Sequence, residues 1–359
     1  MNQAFSTETR STAATRPAGR RRFAPRLIGR RILVWLAGIA AVFLGLMLLG
    51  AGYESLAEAA DVRAYPPPGQ MVDVGGYRLH IYCVGSGSPT VVIDAGWGDS
   101  SGGWSRVQPE AAKTTRVCAY DRAGMGHSES GPLPRTAEHF TSELHALLQR
   151  AGVHGPYVLV GHSMGGAPVR VFAHEYAPEV AGVVLIESMN PEAAGTPALA
   201  TPATPATPPD PGSVSAINKI LTELLTLPAR VGLVRFVTGP VAGMSPHDAS
   251  SYAAHSVTVR SLQAAIAEGR GMHESLAQAR QVTTLGSVPL IVLSRGLPEG
   301  SEDGEQKWQR EQTELLGLSS ESRQVFADQS HHNIQFEQPE AAVDAIVNMV
   351  GQVRRQTVQ

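Results

Sequence analysis

Tyr157-Val158-Leu159-Val160-Gly161-His162-Ser163-Met164-Gly165-Gly166 is the stretch whose reading decides the fold. YVLV is a short, wholly apolar run of the kind that forms a buried strand, and Ser163 to Tyr176 reads as a helix stopped by Pro178. Between them stands Gly-x-Ser-x-Gly, a serine on a strand-to-helix turn. Such a turn strains the serine's backbone and needs glycine two residues to either side, because side chains there would collide with the neighbouring strand and helix. It also exposes Oγ beside a helix N-terminus, which favours developing negative charge. Gly98-Asp99-Ser100-Ser101-Gly102 fits the same pattern, but its continuation, SGGWSRV, is a poor helix start. That match reads as a loop in which Ser100 and Ser101 make turn hydrogen bonds.

Outward from Ser163, apolar runs alternate with amphipathic ones. Strands are expected at MVDVGG and YRLHIYCVG, with Gly75-Gly76 as the turn between them, then at TVVID (Thr90 to Asp94) and Arg116 to Tyr120. Thr136 to Arg150 has Phe140, Leu144 and Leu147-Leu148 at helical spacing behind Thr136 as N-cap. Ala181 to Ile186 is again a strand, and the alternation resumes at Pro289 to Leu293, Gln306 to Leu316, Arg323 to Ala327 and Ala341 to Val353. Strands alternating with helices predict an α/β fold with a parallel sheet covered on both faces. The alternation breaks at Thr196 to Pro211, a Thr-Pro-Ala stretch that cannot enter a sheet or continue a helix, and helices follow at about Val214 to Thr226 and Ser245 to Arg280. A helical block between strands of one sheet reads as a cap over the sheet's edge.

A serine that attacks a carbonyl needs a base, held in turn by an acid. After the last expected strand comes Asp328-Gln329-Ser330-His331-His332-Asn333-Ile334, the one His pair in the sequence. With these residues the chain, from about Met71 to Val353, resembles the α/β-hydrolase family, whose C-terminal signature is Ser-Gly-His before an apolar residue. Tyr120 to Ser128 (YDRAGMGHS) resembles that family's Asp-Arg-x-Gly-x-Gly-x-Ser segment, and Asp94-Ala95-Gly96-Trp97-Gly98 stands in the place of its oxyanion loop. The resemblance implies a mostly parallel eight-stranded sheet with helices on both faces and a helical cap. It puts the base at His332, with His331 standing where the family has Gly. It implies backbone amides of Trp97 and Met164 as an oxyanion hole, and a structural role for the Asp121-Arg122 segment. The usual acid after the seventh strand is missing from Ser294-Arg295-Gly296-Leu297-Pro298, whereas Glu187 ends the sixth strand, the family's second acid position. Glu187 is therefore the expected acid, with Glu302 or Asp303 as alternatives if their loop folds back.

The family's strand order sets the second strand beside the fourth, which implies a disulfide between Cys83 and Cys118. The expected activity is a cofactor-independent serine hydrolase taking a small-molecule ester or amide, a carboxylesterase before a proline-iminopeptidase-like enzyme. The few acids between Ala193 and Gln281 of the cap (Asp210, Glu223, Asp248, Glu268 and Glu274) suit an apolar ester better than a substrate amino group. A membrane-tethered binding protein without turnover is the reading from another class.

Eight arginines against one acid, Glu8, mark the first 31 residues, and Ile32 to Ala51 follows without a charge. Such a helix spans roughly 30 Å, the thickness of a bilayer core. An uncleaved anchor is expected, with a cytoplasmic N-terminus and an extracytoplasmic catalytic domain. A cleaved signal is the alternative, Arg20-Arg21-Arg22-Phe23 resembling a twin-arginine motif and Ala57-Glu58-Ala59 a peptidase site. The body beyond the tail is acidic, which disfavours nucleic acid as a partner. The expected divisions are the basic tail (1–31), the anchor (32–52), an extended linker (53–70) ending in Pro66-Pro67-Pro68-Gly69, the core (71–190 and 286–354) and the cap with its Thr/Pro/Ala-rich insert (191–285).

Overall fold

The computed structural model describes residues 25–191, 211–239 and 241–357. The chain divides into two compact units, Met1–Leu48 and Leu49–Gln359. The described part of the smaller unit belongs to a long helix, α1 (Pro25–Ala64), whose stretch from Ile32 is long and apolar enough to cross a membrane. The first 24 residues of the basic tail, and the Thr-Pro-Ala stretch as far as Asp210, lie outside the described residues.

The expected linker is a correction. Residues 53–64 continue α1, and only the segment around Pro66-Pro67-Pro68 is non-helical. Ala57, Ala59 and Ala60 are strong helix formers, and Glu54 and Asp61 stand two turns apart on one face. The Arg235 guanidinium lies between that pair, donating to Glu54 and to Asp61 at 2.6 Å each. The helix ends where Pro66 bars the helical conformation to the residue before it.

Eight strands form one sheet: β1 (Gln70–Asp73), β2 (Arg78–Val84), β3 (Thr90–Asp94), β4 (Val117–Tyr120), β5 (Tyr157–His162), β6 (Val180–Ile186), β7 (Leu290–Arg295) and β8 (Ser322–Ala327). Their order is β1-β2-β4-β3-β5-β6-β7-β8. β1 and β2, and β2 and β4, pair antiparallel, and every other pairing is parallel. This is the α/β-hydrolase fold expected from the sequence. The helices after α1 are α2 (Gln108–Ala111), α3 (Ala137–Arg150), α4 (Gly166–Glu175), α5 (Pro211–Arg230), α6 (Pro246–Ser256), α7 (Val259–Gln281), α8 (Glu302–Glu314), α9 (Ile334–Glu337) and α10 (Pro339–Thr357).

Because successive side chains of a strand face opposite ways, the central strands must be covered on both sides. Along β5, Tyr157 and Leu159 pack with Leu144, Leu147 and Phe172 of α3 and α4, while Val158 and Val160 pack with Ile346, Met349 and Val350 of α10. The cap, α5 to α7, interrupts the chain between β6 and β7, so the carboxyl ends of the parallel strands gather under it.

Cys83 and Cys118 are register partners on β2 and β4 and form a disulfide, as the resemblance implied. The bond closes a loop of 35 residues. Removing it by the Cys83→Ala/Cys118→Ala pair is expected to lower unfolding stability by about 3 kcal/mol in urea titration. Coincident curves would show that the bond adds nothing to the paired strands.

Candidate active site

The turn after β5 is as tight as its glycines imply. Ser163 has φ of 52°, a left-handed conformation that is strained for a side-chain-bearing residue. A Cβ on Gly161 would stand 2.7 Å from the Gly165 carbonyl oxygen, and one on Gly165 would stand 2.5 Å from the carbonyl oxygens of Asp94 and Ala95. Both positions must therefore lack a side chain. The turn passes from a short 3-10 segment (Ser163–Gly165) into α4.

His332 approaches from the loop after β8. Its Nε2 lies 2.9 Å from Ser163 Oγ and its Nδ1 3.3 Å from Glu187 Oε2. With Nδ1 carrying the proton toward the carboxylate, Nε2 is free to accept from the hydroxyl. His331 turns away, exposed and paired with Glu337 at 2.9 Å. Among the described residues no group of His, Cys, Asp and Glu forms a metal cluster.

Glu187 follows β6 directly, at φ of 45°, the second left-handed residue of the site. This second turn is tied to both its neighbours: Met189 N donates to the Ser163 carbonyl at 3.1 Å, and Glu187 N to the Leu293 carbonyl of β7 at 2.8 Å. The Glu187 carboxylate is fully buried. It accepts from Arg295 N at 2.7 Å, from Arg295 Nη1 at 2.8 Å and from Trp308 Nε1 at 3.0 Å, besides His332. Burial alone would raise its pKa, but the hydrogen bonds from His332 and from the Arg295 amide and guanidinium outweigh it and hold the carboxyl below its ordinary value. The group stays an anion behind the imidazole. Glu302 and Asp303, the alternatives, are exposed in the first turn of α8. The loop does fold back, but with Glu299, whose carboxylate accepts from the His332 backbone N–H at 3.0 Å and so positions the loop rather than the ring.

Arg295 and Trp308 are the partners that sequence reasoning missed. The legible signal was an arginine in the turn where the family has an acid: a cation there complements a carboxylate moved to the neighbouring strand. Arg295 Nη2 also donates to Glu305 at 2.7 Å, fixing α8 beside the site.

The loop after β3 borders Ser163 on its other side. A Cβ on Gly96 would stand 3.4 Å from Ser163 Cβ and 2.9 Å from His162 Nδ1. The Trp97 ring does not fill the site; its Nε1 donates to the Ala265 carbonyl of α7 at 2.7 Å and it packs against Gly269. Arg122, buried, holds this loop from below, donating to the Ala95 and Gly96 carbonyls at 2.7 and 2.6 Å and to Asp94 and Glu268 at 2.6 Å each. Burial would lower its pKa, but Glu268 and Asp94 raise it well above its ordinary value, so the cation is permanent. Asp121 accepts from the Ser101 and His127 amides at 2.7 and 2.9 Å and pairs with His80. The Asp121-Arg122 segment thus shapes the loops, as expected. Ser100 sits in the short loop before Ser101–Trp104, with no strand-to-helix turn.

A family model described as alpha/beta hydrolase fold matches residues 89–210. The uncharacterized protein YqjL of Bacillus subtilis (strain 168) is 28% identical over 255 residues, 71% of this chain and 81% of that protein. Some relatives are matched over a small part of their own length, such as the probable transporter efuK of Hormonema carpetanum over 18% of it. Among solved structures, the epoxide hydrolase CorEH superposes with a TM-score of 0.57 at 21% identity, covering 79% of this chain and 98% of that one. A thermophilic esterase from Thermogutta terrifontis superposes with a TM-score of 0.56 at 21% identity, covering 79% and 97%. The matched family model and these superpositions agree on the α/β-hydrolase fold.

His162, next to Ser163, is fully enclosed, and its pKa is pushed down to about 4 by burial and by the neighbouring His332 ring. The unfolded chain, with an imidazole near its ordinary value, takes up a proton that the folded protein refuses, so stability falls as pH drops below about 6.5 toward about 4. Replacing it, as His162→Gln, is expected to shrink the loss of unfolding free energy between about pH 7 and about pH 5 by roughly 2 kcal/mol. An unchanged pH dependence would assign the acid sensitivity to other groups.

Proposed function

We propose that the protein is a serine hydrolase that cleaves carboxylic esters through an acyl-enzyme, with Ser163 as nucleophile, His332 as base and Glu187 as the acid that orients it. The observation that carries this reading is the 2.9 Å contact of His332 Nε2 with Ser163 Oγ, backed by a buried carboxylate on the ring's other nitrogen. His332 takes the hydroxyl proton as Oγ attacks the carbonyl, and returns it to the departing alkoxide. The charge that develops on the carbonyl oxygen falls to the Trp97 and Met164 amides, which flank Ser163 on the loop after β3 and in the first turn after β5. Met164 N stands among the first N–H groups of its turn, which have no acceptor within it. Water then repeats the sequence on the acyl group.

An ester fits this cap better than a free amino terminus, because three of the acids in its described residues are engaged elsewhere. Glu268 is bound to Arg122, Glu223 pairs with Arg230 at 2.5 Å, and Asp248 accepts from the Ser245 hydroxyl at 2.7 Å. The apolar run from Ile32 supports a membrane anchor, and the continuation of α1 through Ala57-Glu58-Ala59 favours an uncleaved one. The arginine-rich tail before it supports a cytoplasmic N-terminus with the catalytic domain outside.

A fluorophosphonate probe is expected to label the wild type and not Ser163→Ala, and p-nitrophenyl esters to be turned over faster than aminoacyl anilides. A well-folded wild type that takes no label would leave a binding protein, and preference for the anilides an aminopeptidase. Glu187→Gln is expected to lower kcat on the ester by on the order of a hundredfold or more, with KM little changed, since it removes the charge that stabilises the imidazolium. Glu302→Gln and Asp303→Asn should leave kcat unaltered; a loss there instead of at Glu187 would reassign the acid.

A further inference from the structure

The cap helix α5 is turned inside out for a protein in water. A surface helix normally buries its apolar stripe and shows polar residues to solvent. In α5 the inward side carries Asn218, Thr222, Thr226 and Ala229, at spacings of four, four and three, with Thr226 and Ala229 essentially buried. The two threonine hydroxyls are satisfied within the helix, on the Asn218 and Thr222 carbonyls at 2.8 and 2.9 Å. Ile220, Leu221, Leu224 and Leu225 point the other way and are exposed, Leu224 to 61%. The following turn extends the same character with Leu233, Phe236 and Val237, the last two 74% and 81% exposed. Contiguous exposed aliphatic and aromatic side chains on this scale mark a surface that meets something apolar.

Residues 50–61 indicate what that is. They include the end of the apolar run at Ala51 and the residues that follow it, and they lie against this end of the cap. A Cβ on Gly50 would stand 2.8 Å from the Val231 carbonyl oxygen, the Tyr53 ring stacks on Phe236 at 6.1 Å, and Arg235 is clamped between Glu54 and Asp61. At 1.5 Å rise per residue, Tyr53 is roughly 3 Å along the helix from the last residue of the run. Whatever medium receives the run up to Ala51 therefore borders Val231 and Phe236.

We infer that the outward face of α5 and the Leu233–Val237 turn lie in the surface of the bilayer that holds the anchor, as a second, interfacial attachment of the cap. This rests on the proposed anchor. An apolar helix face of this kind sinks into the headgroup–acyl boundary, leaving exposed cations such as Lys219 at the polar level. The two other occupants are a second copy of the chain and the segment 192–210. By sequence that segment brings one large aliphatic side chain, Leu199, too little to cover the stripe.

The test uses the full chain in phosphatidylcholine–phosphatidylglycerol vesicles, labelled with an environment-sensitive fluorophore on single cysteines introduced as Leu224→Cys, Val237→Cys, Val42→Cys or Lys113→Cys. Folding of each is checked by circular dichroism, and Leu224 and Val237, both exposed, are independent reporters. Nitroxide-bearing lipid is expected to quench the labels at 224 and 237 roughly twofold, and the label at 42 at least as much, while leaving that at 113 unaffected. Quenching at 42 without quenching at 224 and 237 overturns the inference and leaves the anchor standing. Blue-shifted but unquenched labels at 224 and 237 overturn it in favour of a protein cover. No quenching at 42 removes the anchor itself.

Discussion

The buried Arg122 guanidinium is the constraint on which the working end of the molecule depends. It is enclosed below the carboxyl ends of the sheet and joins three things with one rigid fork: Asp94 at the end of β3, the Ala95 and Gly96 carbonyls of the following loop, and Glu268 in the cap. A guanidinium suits the task because its donors are planar and fixed, so satisfying them dictates where each acceptor lies. A pair this deep is not a strong source of net stability, since desolvation offsets most of the attraction, but removing one partner leaves a buried charge and costs about 3–5 kcal/mol. Its consequence is positional. Loop and cap are held to one another, and both to the strand beside Ser163.

Opposite this node the site is built from two left-handed residues, Ser163 and Glu187, at the ends of adjacent parallel strands. Strained conformations survive only when their surroundings over-determine them. Here the surroundings are the bare backbones of Gly161 and Gly165 and the amide of Met189 on the Ser163 carbonyl. The carboxylate of Glu187 is equally over-determined, with Arg295 and Trp308 fixing its oxygens before His332 arrives. Arg295 helps to hold this carboxyl below its ordinary pKa and also competes for its lone pairs, and the 3.3 Å contact to His332 is the longest of the four.

How much of this was legible in the sequence follows from the range of the interaction. The sheet was readable because a buried parallel strand writes itself as a local apolar run, and Ser163 because its turn needs glycines two residues away. Glu187 was readable as a charge ending an apolar strand, and Cys83–Cys118 once the strand order was supposed. Arg122–Glu268 and Glu187–Arg295 were not, because they pair residues 146 and 108 apart in sequence with no pattern tying one to the other. Which carboxylate meets the His332 ring, Glu187 or one from α8, could not be read until the loop after β7 had a path, and that path brought a third carboxylate, Glu299, to the His332 backbone.

The stretch misread as linker shows the opposite failure, in which a local signal was present and outweighed. Pro66-Pro67-Pro68-Gly69 is so strong a mark of extended chain that its character was carried back over the residues before it. Yet residues 53–64 hold no proline, three of the four residues 57–60 are alanine, and Glu54, Glu58 and Asp61 follow helical spacing. Propensity alone leaves so short a helix marginal in water. Two further conditions make it firm: it continues a helix already formed, so no new nucleus is needed, and its acidic face meets Arg235 across the cap. A cap fastened in this way to α1 is no freely hinged lid. The same few residues, Gly50 to Asp61, that end the apolar run also fix where the Leu233–Val237 turn stands.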